Sequence, residues 1–256
     1  MKGKTVIVTG GGSGIGKAMA RKFADQGANV VLTGRNGEKL AGAQKDIEQF
    51  DGQVLTFQMD VRNPENVQEM VKVTKDAFQN IDTLINNAAG NFICAAEDLS
   101  INGWNSVIDI VLNGTWYCSQ TVGKDWIASG QSGSILNIAA TYAWGAGVGT
   151  IHSASAKAGV LAMTRTLAVE WGKKYGIRAN AIAPGPIEDT EGVARLVATP
   201  EAMERAIKSI PLSRLGKVEE IAHLAYLLST PELSYINGEC ITMDGGKWLN
   251  NQTRDI

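Results

Sequence analysis

The side chains best suited to chemistry cluster between Asn137 and Lys157. A phenol at Tyr142 lies fifteen residues before the ammonium of Lys157, and a hydroxyl at Ser153 lies four residues before it. A phenol donates a hydrogen bond to an oxygen that gains negative charge, and an ammonium adds a positive field beside it. Near the start of the chain, Gly10, Gly11, Gly12, Ser13, Gly14, Ile15 and Gly16 follow the apolar run Val6-Ile7-Val8-Thr9, and a helical pattern begins at Lys17. Glycines in that setting let the chain turn sharply and bring backbone N–H groups close to a pyrophosphate at a helix N-terminus. The spacing alone is weak evidence; its place between the first strand and first helix of a βαβ unit makes it strong.

These groups need a scaffold, and the pattern of the chain supplies one. Short apolar runs at Thr5–Thr9, Asn29–Thr33, Val54–Met59, Thr83–Asn86, Ser134–Ile138, Arg178–Ile182 and Cys240–Met243 alternate with longer helical patterns such as Lys17–Gln26 and Glu38–Gln49. Runs this continuously apolar suit strands covered on both faces. The alternation predicts an α/β fold: a Rossmann-type, doubly wound parallel sheet of about seven strands in a single domain over 1–256. The segment Glu188–Pro211 is helical in pattern and falls where ligands bind, outside the carboxyl ends of the strands. It reads as a small substrate lid, or as a solvated surface helix.

The 256 residues carry 24 Lys and Arg against 26 Asp and Glu, with no basic patch, which argues against a nucleic-acid partner. Cys94, Cys118 and Cys240 have no CxxC spacing and read as reduced thiols. His152 and His223 have no metal partner nearby in sequence, so no metal site is expected. His152 adjoins Ser153, but no triad acid accompanies them. Met1–Lys4 leads directly into a strand with no leader pattern, and no apolar run is long enough for a membrane span. A cytoplasmic location is expected.

The second predicted strand ends Leu32-Thr33-Gly34-Arg35 without the acid that would accept from the ribose 2′-hydroxyl of NAD. Arg35 could pair with a 2′-phosphate, which favours NADP(H); a solvated arginine is the alternative. Asp60 and Val61 follow the third strand and are placed to meet an adenine edge, although an Asp there is also a common turn residue.

Thr9–Gly16, Asn86-Asn87-Ala88-Ala89-Gly90, Asn113, Lys157 and Pro184-Gly185 together resemble the short-chain dehydrogenase/reductase family over essentially the whole chain. In that family a Tyr four residues before the Lys, helped by an upstream Ser, normally protonates a carbonyl oxygen. Here Ser153 and Ala140 stand at those positions. With Asn91-Phe92, the displaced Tyr142, Ser153–Lys157 and Pro184–Ile187, the chain resembles the 2,4-dienoyl-CoA reductases of the family.

The resemblance implies that Lys157 holds the nicotinamide ribose. It implies that Gly10–Gly16, Arg35, Asp60, Val61, Asn87, Pro184, Gly185, Pro186 and Ile187 line NADP(H). Tyr142 and Asn91 would donate to the thioester carbonyl of an acyl-CoA, Asn113 would take a structural or water-relay role, and Arg62, Phe92, Ser100, Ser153 and Arg195 would contact the substrate. Hydride reaching Cδ of a dienoyl thioester pushes charge to the thioester oxygen, several bonds away, so the donor moves with it. Protonation at Cα by a held water gives a trans-3-enoyl-CoA.

Each residue also has a plainer reading. Tyr142 could be a packed aromatic, Asn91 a turn residue, Asn113 an ordinary helix Asn and Ser153 a hydroxyl bonded to backbone. Arg62 and Arg195 could be exposed cations. The family's usual Thr, five residues after the Pro-Gly proline, is Asp189 here, with Thr190 next. The loop then bends away from the pyrophosphate or presents Thr190 to it. Other functions compatible with these residues are a carbonyl or enone reductase with Tyr142 as acid, and a non-catalytic NADP-binding sensor. The family usually assembles as homotetramers; Trp104, Trp116, Trp126 and Trp248 could serve such interfaces or the core.

Overall fold

The computed structural model describes residues 1–190, 192–193 and 199–250. Seven strands, β1 (Thr5–Thr9), β2 (Asn29–Gly34), β3 (Val54–Gln58), β4 (Thr83–Asn86), β5 (Ser134–Ile138), β6 (Arg178–Pro184) and β7 (Cys240–Met243), form one sheet in the order β3-β2-β1-β4-β5-β6-β7. Every neighbouring pair is parallel. The anticipated sheet is therefore present, with β2 and β6 extended past their apolar runs to Gly34 and Pro184.

Crossover helices cover both faces. On one, α1 (Gly14–Asp25) and α2 (Gly37–Ile47) pack Met19, Phe23, Leu40 and Ile47 onto Val6, Val8, Val30 and Leu32. On the other, α3 (Pro64–Phe78), α5 (Gly114–Ser129) and α6 (Ile151–Tyr175) pack Val67, Met70, Cys118, Val122, Trp126 and Leu167 onto Ile7, Val31, Leu84 and Ile135. Alternate residues of β1 thus enter opposite cores, which is why its whole run is apolar. Trp126 is fully buried and donates from Nε1 to the Ile81 carbonyl at 2.6 Å, so it belongs to the core and to no interface. Burial of the Cys118 thiol pushes its pKa up to about 12.

Helix α4 (Ile101–Ile108) passes into α5 through a π-helical turn, Asp109–Asn113. Asn113 therefore stands in a widened turn where the sequence pattern predicts plain α-helix. Such turns re-aim side chains and recur at functional sites. Of the proposed lid, α7 (Pro200–Lys208) is a short helix capped by Thr199, with no buried residue; Arg195 lies outside the described residues. Helix α8 (Val218–Ser229) closes the α1 face. Among the described residues no helix is long and apolar enough to cross a membrane.

Candidate active site

Chain order runs outward from β1 to β3, then returns to place β4 on the other side of β1. The carboxyl ends of β1 and β4 form the crevice where such sheets bind ligands. The glycine loop leaves β1 there and Asn87–Asn91 leaves β4.

The loop is tightly packed. Gly10 and Gly14 have φ of +66° and +50°, and a Cβ on Gly16 would stand 2.3 Å from the Gly10 carbonyl oxygen. A side chain would be strained at Gly10 and Gly14 and would collide with backbone at Gly16. Helix α1 starts at Gly14, three residues before the expected Lys17, with no acid in its first turn and no capping bond from Ser13. Its first N–H groups are thus available to a diphosphate.

Asn87 lies under the loop. Its Nδ2 donates to the carbonyls of Thr9 at 2.9 Å and Gly10 at 3.2 Å, while the Thr9 hydroxyl accepts from the backbone of Asn87 and Ala88. Thr9 was read from the sequence only as the start of the Thr9–Gly16 motif, without this bracing role; its signal is a hydroxyl at the end of an apolar strand, directly before the glycines. The polar core beside it was likewise not read, although Asn86 and Asn137 were named: Asn86 donates to Ser119 and Asn137, and Asn137 to Thr164. Its signal is an Asn inside each of two apolar runs.

Past β2, Arg35 is exposed, and its charge helps hold the Asp60 carboxyl below its usual range. The larger cause is Arg62, whose guanidinium donates to both Asp60 oxygens. The structure therefore pairs Arg62, expected at the acyl-CoA, with Asp60, expected at the adenine edge. Gly114 brings α5 against Val61 so closely that a Cβ would meet Val61 Cγ2 at 2.6 Å. At the end of β6, Gly185 donates to the Met243 carbonyl, and Ile187 is buried beside Gly216. Asp189 adopts a left-handed φ of +56°, and Thr190 lies next to Gly14, where a Cβ would be 3.7 Å from Thr190 Cγ2. The loop thus brings Thr190 beside the glycine turn. Its hydroxyl donates to the Ile187 carbonyl at 2.7 Å.

At the reacting end, Lys157 is buried on α6 and donates to the Ile138 carbonyl at the end of β5. Desolvation lowers its pKa to about 8. Tyr142, on the turn Thr141–Ala143, shares a hydrogen bond of 3.1 Å with Ser153. Ser153 thus meets the tyrosine and not backbone. Burial raises the tyrosine's pKa, and Ser153 and then Asn91 draw it back. The Phe92 N–H donates to Asn91 Oδ1 at 2.9 Å, which fixes the amide so that its NH₂ is the donating end. Tyr142, Ser153 and Asn91 therefore form a cluster of neutral donors.

Asn113 donates to Asp109 at 2.9 Å within the π turn. Ser100 caps α4 by accepting from Gly103, and a Cβ on Gly103 would stand 3.2 Å from both Ser100 Oγ and Phe92 Cζ. His152 is buried edge-to-face on Phe92, and neither of its nitrogens has a partner among the described residues, so Ser153 is not part of a His-based triad.

The chain matches, over residues 10–247, the family model described as "Enoyl-(Acyl carrier protein) reductase". It is 61% identical over 250 residues to a Bacillus subtilis protein named probable 2,4-dienoyl-CoA reductase [(2E)-enoyl-CoA-producing], covering 98% of each chain. It is 41% identical to the peroxisomal 2,4-dienoyl-CoA reductase [(3E)-enoyl-CoA-producing] of Danio rerio, covering 97% of this chain and 82% of that one. A crystal structure of a short chain dehydrogenase from Bacillus anthracis matches with a TM-score of 0.92 and 63% identity, covering 98% of both chains. The glycine cradle, the acid-free helix start and Lys157 fit a nicotinamide dinucleotide. The chain belongs to the short-chain dehydrogenase/reductase family.

Proposed function

We propose that this protein reduces 2,4-dienoyl-CoA thioesters with NADPH. The observation that carries this reading is the position of the neutral donors. Tyr142, Asn91 and Ser153 cluster together, whereas Ala140 and Ser153 occupy the places from which a hydroxyl pair would serve a simple carbonyl. A ketone needs its acid one bond from the carbon that takes the hydride. A dienoyl thioester needs its donors at an oxygen several bonds away. The names of the relatives point to the same substrate class.

Bound NADPH supplies the hydride. Two electrons enter at Cδ, the diene electrons move toward the thioester oxygen, and Tyr142 and Asn91 stabilise the dienolate by donation, commonly worth a few kcal/mol per donor. Lys157 adds positive charge at the reacting end. A proton from water then reaches Cα, where a dienolate carries high charge density, and the product is a trans-3-enoyl-CoA. Protonation at Cγ would give the 2-enoyl isomer, and the relatives' names divide at this step. Homotetrameric assembly, which rests on family resemblance, and a cytoplasmic location, which rests on the sequence reading, complete the proposal.

The test is oxidation of NADPH with trans-2,trans-4-hexadienoyl-CoA, with the product identified by NMR. Turnover giving the 3-enoyl thioester supports the whole scheme. A 2-enoyl product keeps the reaction and overturns Cα protonation. Cofactor binding without turnover supports a sensor, and turnover of small ketones alone supports a carbonyl reductase.

Cofactor choice gives a separate expectation. Arg35→Ala removes a charge-assisted partner of the 2′-phosphate, so kcat/KM with NADPH falls roughly 10–100-fold while that with NADH is little changed. A parallel loss with both cofactors would remove Arg35 from the site.

A further inference from the structure

Large apolar side chains reach solvent beside the donor cluster. Trp144 lies two residues beyond Tyr142 and is 38% exposed; Trp248, on the turn Lys247–Leu249, is 42% exposed. Their rings meet edge-to-face, with centroids 5.8 Å apart and planes at 86°. Ile93, two residues beyond Asn91, is 54% exposed, and Val148 is 99% exposed. The Cys94 N–H donates to the Gly149 carbonyl at 3.0 Å, and a Cβ on Gly149 would stand 2.8 Å from Ile93 Cγ2. The segment after Asn91 is therefore stitched to the segment after Tyr142. Each oxygen donor is followed, two residues on, by an exposed apolar side chain, and the second tryptophan extends that surface.

Exposed apolar side chains grouped on the segments that carry the donors are characteristic of a binding site. A thioester held at its oxygen by Tyr142 and Asn91 has two arms. The CoA arm is anionic and needs cations, and none of Ile93, Trp144, Val148 and Trp248 is charged. The acyl arm is hydrocarbon, and rigid indole faces offer it large area at little entropic cost. We propose that the Trp144–Trp248 pair, with Ile93 and Val148, receives the apolar tail of the acyl group, so that the enzyme selects long-chain over short-chain thioesters. The proposal rests on the dienoyl-CoA reading.

The experiment compares kcat/KM for trans-2,trans-4-tetradecadienoyl-CoA and the hexadienoyl homologue in wild type, Trp144→Ala, Trp248→Ala and Trp248→Phe, with molar mass followed by light scattering. Each alanine variant is expected to lower the long-to-short ratio about tenfold, and Trp248→Phe to restore most of it. Equal losses on both substrates overturn the proposal. So does an unchanged ratio with a fall in molar mass, which would assign the patch to a contact between copies. If wild type reduces neither substrate, the reductase reading fails, and binding decides the tail site on its own. Tryptophan quenching by myristoyl-CoA at concentrations where acetyl-CoA gives none supports the site; equal quenching by both overturns it.

Discussion

The Tyr142→Phe protein is expected to lose about 10²–10³-fold in kcat toward trans-2,trans-4-hexadienoyl-CoA, with a much smaller change in KM. The oxygen carries little charge in the bound ground state and most of it in the dienolate, so a donor aimed at it acts chiefly on the transition state. The change removes one hydroxyl from a partly buried ring whose partners, Ser153 and Asn91, remain. Thermal stability should therefore fall by only about 1 kcal/mol, which separates a catalytic loss from unfolding. Burial keeps the phenol protonated across the ordinary range, so Tyr142 itself should add no limb to the pH profile. Full turnover in the phenylalanine protein would show that Asn91 and Ser153 suffice and would remove Tyr142 from the mechanism.

Lys157→Met should separate activity from stability even more sharply. Turnover is expected to fall at least about 10²-fold, because the charge and the ribose contact that the family resemblance implies disappear together. The cofactor-free protein should nonetheless become more stable near pH 7. Burial lowers the ammonium's pKa from 10.5 to about 8, so below pH 8 the native state bears the full cost of a buried charge. Between pH 8 and 10.5 the native lysine is neutral while the unfolded one is still charged, and wild-type stability rises through that window. After allowance for the orphaned Ile138 carbonyl, the methionine variant gains about 2 kcal/mol at neutral pH, and the gain fades toward pH 10.5. For wild type, kcat/KM with respect to NADPH should fall as pH rises through about 8, since this parameter reports the free enzyme. A profile flat to pH 10, or a methionine variant with a lower melting temperature at pH 7, would contradict this account.

The sheet was legible because burial on both faces leaves its strands almost wholly apolar, as Val6–Val8 and Leu84–Ile85 illustrate. Helix α1 was read as starting late because Gly14 and Gly16 are poor helix formers, and only the packing of Gly16 against Gly10 explains their place there. The π turn at Asp109–Asn113 has no sequence signal of its own, since its residues would suit an α-helix equally well. Lys157 and Tyr142 could be placed from spacing and resemblance. The pairing of Arg62 with Asp60 depends on how one loop folds back, and the placing of Thr190 beside Gly14 follows a single left-handed residue, Asp189. Local dihedrals of that kind leave little trace in residue type.

The support that Asn87 gives the carbonyls of Thr9 and Gly10 has a consequence for synthesis. The glycine loop leaves the ribosome early, but the strand that carries its prop is β4, which follows β2 and β3 in the chain and lies beside β1 in the sheet. Lys157 emerges later still. A nascent chain ending before Asn87 holds the glycine loop without its underpinning, and one ending before Lys157 lacks the cation of the reacting end. The supported form of the glycine loop therefore exists only once β4 has been synthesised and paired beside β1.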